Sequence, residues 1–163
     1  MMDNDYERGP TLDRVRSLFD YDQASGRLTS KSGFAVSDRP NLQGYLRVTV
    51  DGRRYLQHRL IWFFVYGKFP SEQVDHIDGD RTNNAIANLR HVSNMKNAQN
   101  IRRAHRDSKT GLLGVAATER GTWEARIQVN GRRTCLGSTF KTPEEAHAVY
   151  LDAKRRLHEG CTI

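Results

Sequence analysis

VDHIDGDRTNNAIANLRHVSNMKNAQN, residues 74–100, is the stretch whose reading decides the fold. It is rich in Asn, Asp and basic residues and poor in large apolar ones, a composition that suits a functional loop system more than a core. Within it Asp75-His76 is followed by Asn88-Leu89 and then by Asn97. An Asp-His dipeptide ahead of IDGD is, by itself, more often a turn than a site, because Asn and Asp satisfy local backbone through Asx turns. The spacing to Asn88 and Asn97 is what lifts the pattern above that reading. One geometric demand comes with it. Neighbours on a regular strand face opposite ways, so Asp75 and His76 can share a site only if the strand bends or ends there.

Working outward towards the N-terminus, HRLIWFFVY from His58 to Tyr66 is densely apolar and bounded by Gly67 and Pro70, which predicts a buried helix. GYLRVTVDGRRYLQ before it predicts two strands closed by an Asp51-Gly52 turn, and GRLTS predicts a further strand. Residues 11–22 place Leu12, Val15, Leu18 and Phe19 at helical spacing behind Thr11 as N-cap.

Towards the C-terminus, Ser93 predicts a cap on a helix over 94–104, and HRDSKT (105–110) reads as a linker. Beyond it Trp123, Ala125, Ile127 and Val129 alternate with Glu124, Arg126 and Gln128, and Asn130-Gly131 supplies a hairpin turn. Thr142-Pro143-Glu144-Glu145 is a capping box opening a helix with an apolar stripe of Ala146, Val149, Tyr150, Ala153 and Leu157. The expected architecture is α+β in two small modules, 1–106 and 107–163, the second a three-stranded antiparallel sheet packed on one helix.

Composition narrows the partners. A net charge of +7 points to a polyanion, and five of those seven net charges fall in residues 101–163. No apolar run reaches the ~20 residues of a membrane helix, and the charged start MMDNDYERGP lacks the pattern of an export signal, so a cytoplasmic protein is expected. The two cysteines, Cys135 and Cys161, support neither a zinc knuckle nor a disulfide framework. Asp78 and Asp80 lack the later Glu of a calcium loop.

The chemistry open to residues 74–100 is phosphodiester hydrolysis. That reaction needs a base to activate water and a divalent cation to neutralise charge on the phosphate. The unperturbed histidine side chain titrates near neutrality, which makes His76 the candidate base. Asp75 and Asn97 offer hard oxygens, which suit Mg²⁺ or Mn²⁺ better than Zn²⁺.

Through LFDYDQASGRL, GYLRVTVDGRRYLQHRL, VDHIDGDRTNNAIANLR and HVSNMKNAQN, roughly Leu18 to Asn100, the chain resembles the HNH homing-type endonucleases of phage and intron origin. The resemblance implies a core of two strands and a helix around one metal, with His76 as general base, Asp75 and Asn97 as metal ligands, and Asn88 bracing the loop between the strands. His58 matches a position usually filled by His in that family. Its duty is either structural or near phosphate. Arg59 and Arg90 are candidates for phosphate contacts, against the commoner case of surface arginines without such a role. His91 reads as a strand residue.

Residues 111–158 resemble the AP2 DNA-binding domain, through GLLGV, GTWEARIQVNGRR and LGSTFKTPEEAHAVYLDA. That family lays a three-stranded sheet in the major groove of double-stranded DNA, which implies Arg126 and Gln128 facing DNA and Arg120, Arg132 and Arg133 contacting it. Ala116, Thr118 and Cys135 depart from the plant members, so no sequence preference carries over. Together the resemblances imply a monomeric, Mg²⁺- or Mn²⁺-dependent nicking enzyme, in host cytoplasm if phage-encoded. The competing expectations are a non-catalytic DNA-binding regulator and an enzyme acting on RNA.

Overall fold

The computed structural model describes residues 9–159, 161 and 162. The charged start, on which the reading about export rests, lies largely outside them. The chain divides into two compact units, 1–93 and 94–163. Among the described residues no helix is long and apolar enough to cross a membrane.

The first unit opens with helix α1, Leu12–Leu18, and Thr11 caps it by accepting from the Arg14 N–H. The helix stops at Leu18, earlier than the 11–22 pattern suggests. Phe19 begins strand β1, Phe19–Asp22, which pairs antiparallel with β2, Arg27–Ser30. Asp22 closes that hairpin by accepting from the Ala24 and Ser25 N–H groups, a local alternative to helix that short acidic side chains offer. Phe19 is buried all the same.

Strands β3, Arg47–Val50, and β4, Arg53–Leu56, form a second hairpin. Asp51 and Gly52 both have positive φ, the geometry that two-residue hairpin turns need, and Asn130-Gly131 repeats it in the second unit. Val48 and Val50 point inward from β3 onto helix α2, Gln57–Tyr66. Leu60 and Ile61 of α2 are completely buried and join Val15, Phe19, Leu28, Val74 and Leu89 in one apolar cluster. Strand β5, Gln73–His76, pairs with β6, Leu89–Val92, through a loop that carries one 3-10 turn, Ile86–Asn88. Val74 and Leu89 anchor this pair to the cluster, so the loop between them hangs from a fixed base.

The second unit starts with the short helix α3, Asn94–Gln99. It ends five residues before the expected Ala104. Lys154 Nζ donates to the Ile101 carbonyl and Asn100 accepts from the Thr162 hydroxyl, so this backbone is held by tertiary bonds instead of helical ones. The same bonds, with the Lys96–Glu159 ion pair, tie residues 94–106 to the second unit. The division therefore falls ahead of the expected 106/107 boundary.

Strands β7, Val115–Ala117, β8, Trp123–Val129, and β9, Arg132–Phe140, form a three-stranded antiparallel sheet in that order. Helix α4, Pro143–Leu157, follows, with the Thr142 hydroxyl accepting from Glu145 N–H and the Glu145 carboxylate accepting from Lys141 N–H. Ala125 and Ile127 pack on Ala146, Tyr150 and Ala153. The apolar stripe is narrower than expected. Val149 is 36% and Leu157 49% exposed, while Lys154 is buried with its stem along the core and its ammonium over the Tyr150 ring. Cys135 is exposed and Cys161 half-buried.

Candidate active site

Asp75 and His76 end strand β5, and the chain turns directly after them, with Gly79 N–H donating to the His76 carbonyl. The strand ends without bending first. His76 points inward with Val74 and is buried, whereas Asp75 lies on the other face, half-buried and opposite Arg90 in the register. Arg90 Nε and Nη2 both donate to Asp75 Oδ2, at 3.0 and 2.8 Å. Asp75 and His76 are thus adjacent in sequence but divided by the plane of the strand pair.

His76 is held by the loop it precedes. Its Nε2 lies 3.0 Å from Asn84 Oδ1, and Asn84 is buried to 1% exposure. A carbonyl oxygen only accepts, so Nε2 carries the hydrogen and the lone pair of the neutral ring falls on Nδ1. Asn84 is itself fixed, because its backbone carbonyl accepts from the Tyr21 hydroxyl at 2.9 Å. Two further rings flank the imidazole. His58 meets it edge-on with centroids 4.9 Å apart, and Tyr45 lies 6.0 Å away with the Arg81 guanidinium over its ring.

Asn88 spans the same loop. Its Oδ1 accepts from Asp78 N–H at 3.0 Å, and its Nδ2 donates to Asp78 Oδ1 and to the Asn83 carbonyl at 2.9 and 2.8 Å. With Asn83 Nδ2 also donating to Asp78 Oδ2, these bonds hold the Asp78 carboxyl below its ordinary range and engage the acidic run internally.

His58 is buried on helix α2, and its Nδ1 has no hydrogen-bond partner among the described residues. Burial, then the neighbouring charge of His76 and Arg59, pushes its pKa down to about 3. An unfolded histidine titrates near 6.5. Between those values the unfolded chain binds a proton that the folded chain refuses, so stability is full above pH ~6.5 and falls as pH drops towards 3. Wild type should therefore lose on the order of 2–3 kcal/mol more than His58→Phe between pH 7 and 4, read by urea denaturation. Parallel pH profiles for the two proteins would contradict this.

The arginines assigned to phosphate are engaged within the protein. Arg59 donates to the Pro70 and Glu72 carbonyls and fixes the segment leading into β5, and Arg90 holds Asp75. His91 lies on β6 and accepts from Glu72 N–H. In the second unit Arg126 and Gln128 are exposed on the sheet face away from α4, with Arg133 opposite Gln128. Arg126 pairs with Glu124, and Gln128 donates to the Gly131 carbonyl. Arg120 and Arg132 sit exposed near the hairpin turns. Asn97 lies on α3, in the second unit.

Among the described residues, no group of three or more His, Cys, Asp or Glu side chains is placed to hold a metal ion. The donor chemistry still fits a hard cation. Asp75, on the face of β5 away from His76, supplies a hard carboxylate oxygen of the kind Mg²⁺ takes.

Residues 55–99 match the family model described as HNH endonuclease, a span that runs from β4 through α2, β5 and β6 to α3. Over that span the chain is similar to HNH endonucleases, a class of nucleases that hydrolyse phosphodiester bonds. No curated protein and no solved structure matches the chain.

Sequence reasoning missed Asn84, Tyr21 and Tyr45. The only signal for Asn84 was its place in an Asn-rich loop, where one amide looks like the next.

Proposed function

We propose that the protein is a divalent-metal-dependent endonuclease that nicks double-stranded DNA, with His76 as general base. The observation that carries this reading is the fixed orientation of His76 on Asn84 within the segment that matches HNH endonucleases. His76 Nδ1 takes the proton from the attacking water, since Nε2 is committed to Asn84. Asn88 keeps the loop closed, and Tyr21 holds Asn84 so that the imidazole cannot swing during the transfer.

Asp75 and Asn97 are the candidate oxygen donors for Mg²⁺ or Mn²⁺, and Asp75 would have to turn from Arg90 and from the face opposite His76 to serve one site with it. The ion would neutralise charge on the scissile phosphate and on the leaving 3′ oxygen. With one such site per chain, a monomer breaks one strand per binding event. The C-terminal sheet, similar in pattern to AP2 domains, delivers the nuclease to DNA through Arg126, Gln128 and Arg133, with Arg120 and Arg132 on its rim.

Substrate class is tested by supplying labelled duplex DNA and labelled RNA of the same sequence together with Mg²⁺. DNA should be cut and RNA spared. Equal or preferred cutting of RNA would overturn the assignment to DNA.

A further inference from the structure

The first unit holds an open groove of about 580 Å³, bounded by hairpin β3–β4 on one side and the 31–41 segment on the other. Three arginines line it, Arg39, Arg47 and Arg54, and all three are exposed. Unlike Arg59 and Arg90, their guanidinium groups have no hydrogen-bond or ion-pair partner among the described residues. The lining contains one carboxylate, Asp51, and Arg14 already neutralises it through bonds of 2.7 to 3.2 Å. The groove is therefore net positive, with its cations facing solvent.

The hairpin register fixes how two of these cations stand. Thr49 lies opposite Arg54, so Arg47, two residues along the same strand face, is the diagonal neighbour of Arg54. Such neighbours are about 7–8 Å apart at the backbone, comparable with the step between successive phosphates on one nucleic-acid strand. Val48 and Val50, on the opposite face, lock the hairpin to the core, so the pair is presented from a rigid element. Phe34, at 80% exposure, adds an aromatic ring to the groove, and an apolar ring beside unpaired cations suits a sugar–phosphate chain.

We propose that this groove is a second DNA-binding surface of the protein, gripping the sugar–phosphate backbone through Arg39, Arg47 and Arg54. It rests on the nuclease reading for its substrate class. The grip lies on the nuclease-bearing unit itself, so that unit holds DNA independently of the C-terminal sheet.

Fluorescence anisotropy of the full chain with a labelled duplex, in EDTA so that nothing is cut, tests it. Arg39→Gln/Arg47→Gln/Arg54→Gln should bind about tenfold or more weaker near 0.1 M salt. Its slope of log K against log salt should flatten by about 2–3, one counterion release per lost contact. The corresponding triple lysine variant should recover most of the affinity, and thermal melting of both should match wild type, because the substituted groups have no partners to lose. Unchanged affinity and slope in the glutamine triple would overturn the proposal. So would competition by polyglutamate as strong as by unlabelled duplex, which would assign the groove to acidic proteins. The two readings fail separately. Loss of the nuclease reading appears as intact binding without cleavage in Mg²⁺, and loss of this one as cleavage with binding unchanged in the triple variant.

Discussion

Alanine at position 76 is expected to lower the single-turnover rate of DNA cleavage by about 10²–10⁴-fold, the usual worth of a positioned general base. Binding should change little, because His76 is buried and contributes no surface charge. The ring also packs against His58 and Tyr45, so alanine opens a cavity and costs stability. His76→Gln separates the two effects. It keeps polar volume near Asn84 but cannot accept a proton from water, so it should melt closer to wild type and still fail to cut. Cleavage by a well-folded His76→Gln at a wild-type rate would remove His76 from the chemistry.

The largest effect on folding is expected at Gly26. Its φ of +73° strains any other residue, and a Cβ there would stand 2.2 Å from the Ala85 nitrogen and 2.4 Å from the Asn84 carbonyl carbon. Both are backbone atoms, so neither can rotate aside. Gly33 provides the comparison, with φ of +80° but nothing within 4 Å of the added carbon. Gly33→Ala should cost only the left-handed strain, about 1–2 kcal/mol. Gly26→Ala should cost about 3–5 kcal/mol in urea denaturation. It should also lower cleavage beyond the loss of folded protein, because residues 84–85 move and Asn84 carries the His76 contact. Equal losses at the two glycines would mean that the approach of the β1–β2 turn to the 84–85 backbone does not matter.

These two sites show how differently the sequence exposed its contents. Periodicity and turn chemistry made most elements readable: the apolar run over His58–Tyr66, the Asp51-Gly52 and Asn130-Gly131 turns, and the Thr142 capping box all lie where local rules put them. Failures came where distant groups overrode local preference. Phe19 sits at helical spacing, yet strand pairing with Ser30 takes it. The Asn94 helix stops early because Lys154 and Thr162, more than fifty residues away, claim the backbone and side chains after it.

The site divides in the same way. Spacing singled out His76 and Asn88, but no pattern distinguished Asn84 from Asn83, since the difference is a tertiary one made by the His76 ring and the Tyr21 hydroxyl. Charge alone could not tell an arginine that braces backbone, like Arg59, from one that faces an open groove, like Arg47. The resemblance put Asp75 beside His76 in one site. The strand alternation puts their side chains on opposite faces, with Arg90 on the acid.

In the proposed mechanism His76 promotes metal-dependent hydrolysis of DNA. That role is tested most directly by following supercoiled plasmid under single-turnover conditions with wild type and His76→Gln, in Mg²⁺ and in EDTA. Wild type in Mg²⁺ should yield open circles, and the other three reactions intact supercoils. Open circles formed at the same rate by both proteins, or by wild type in EDTA, would contradict it.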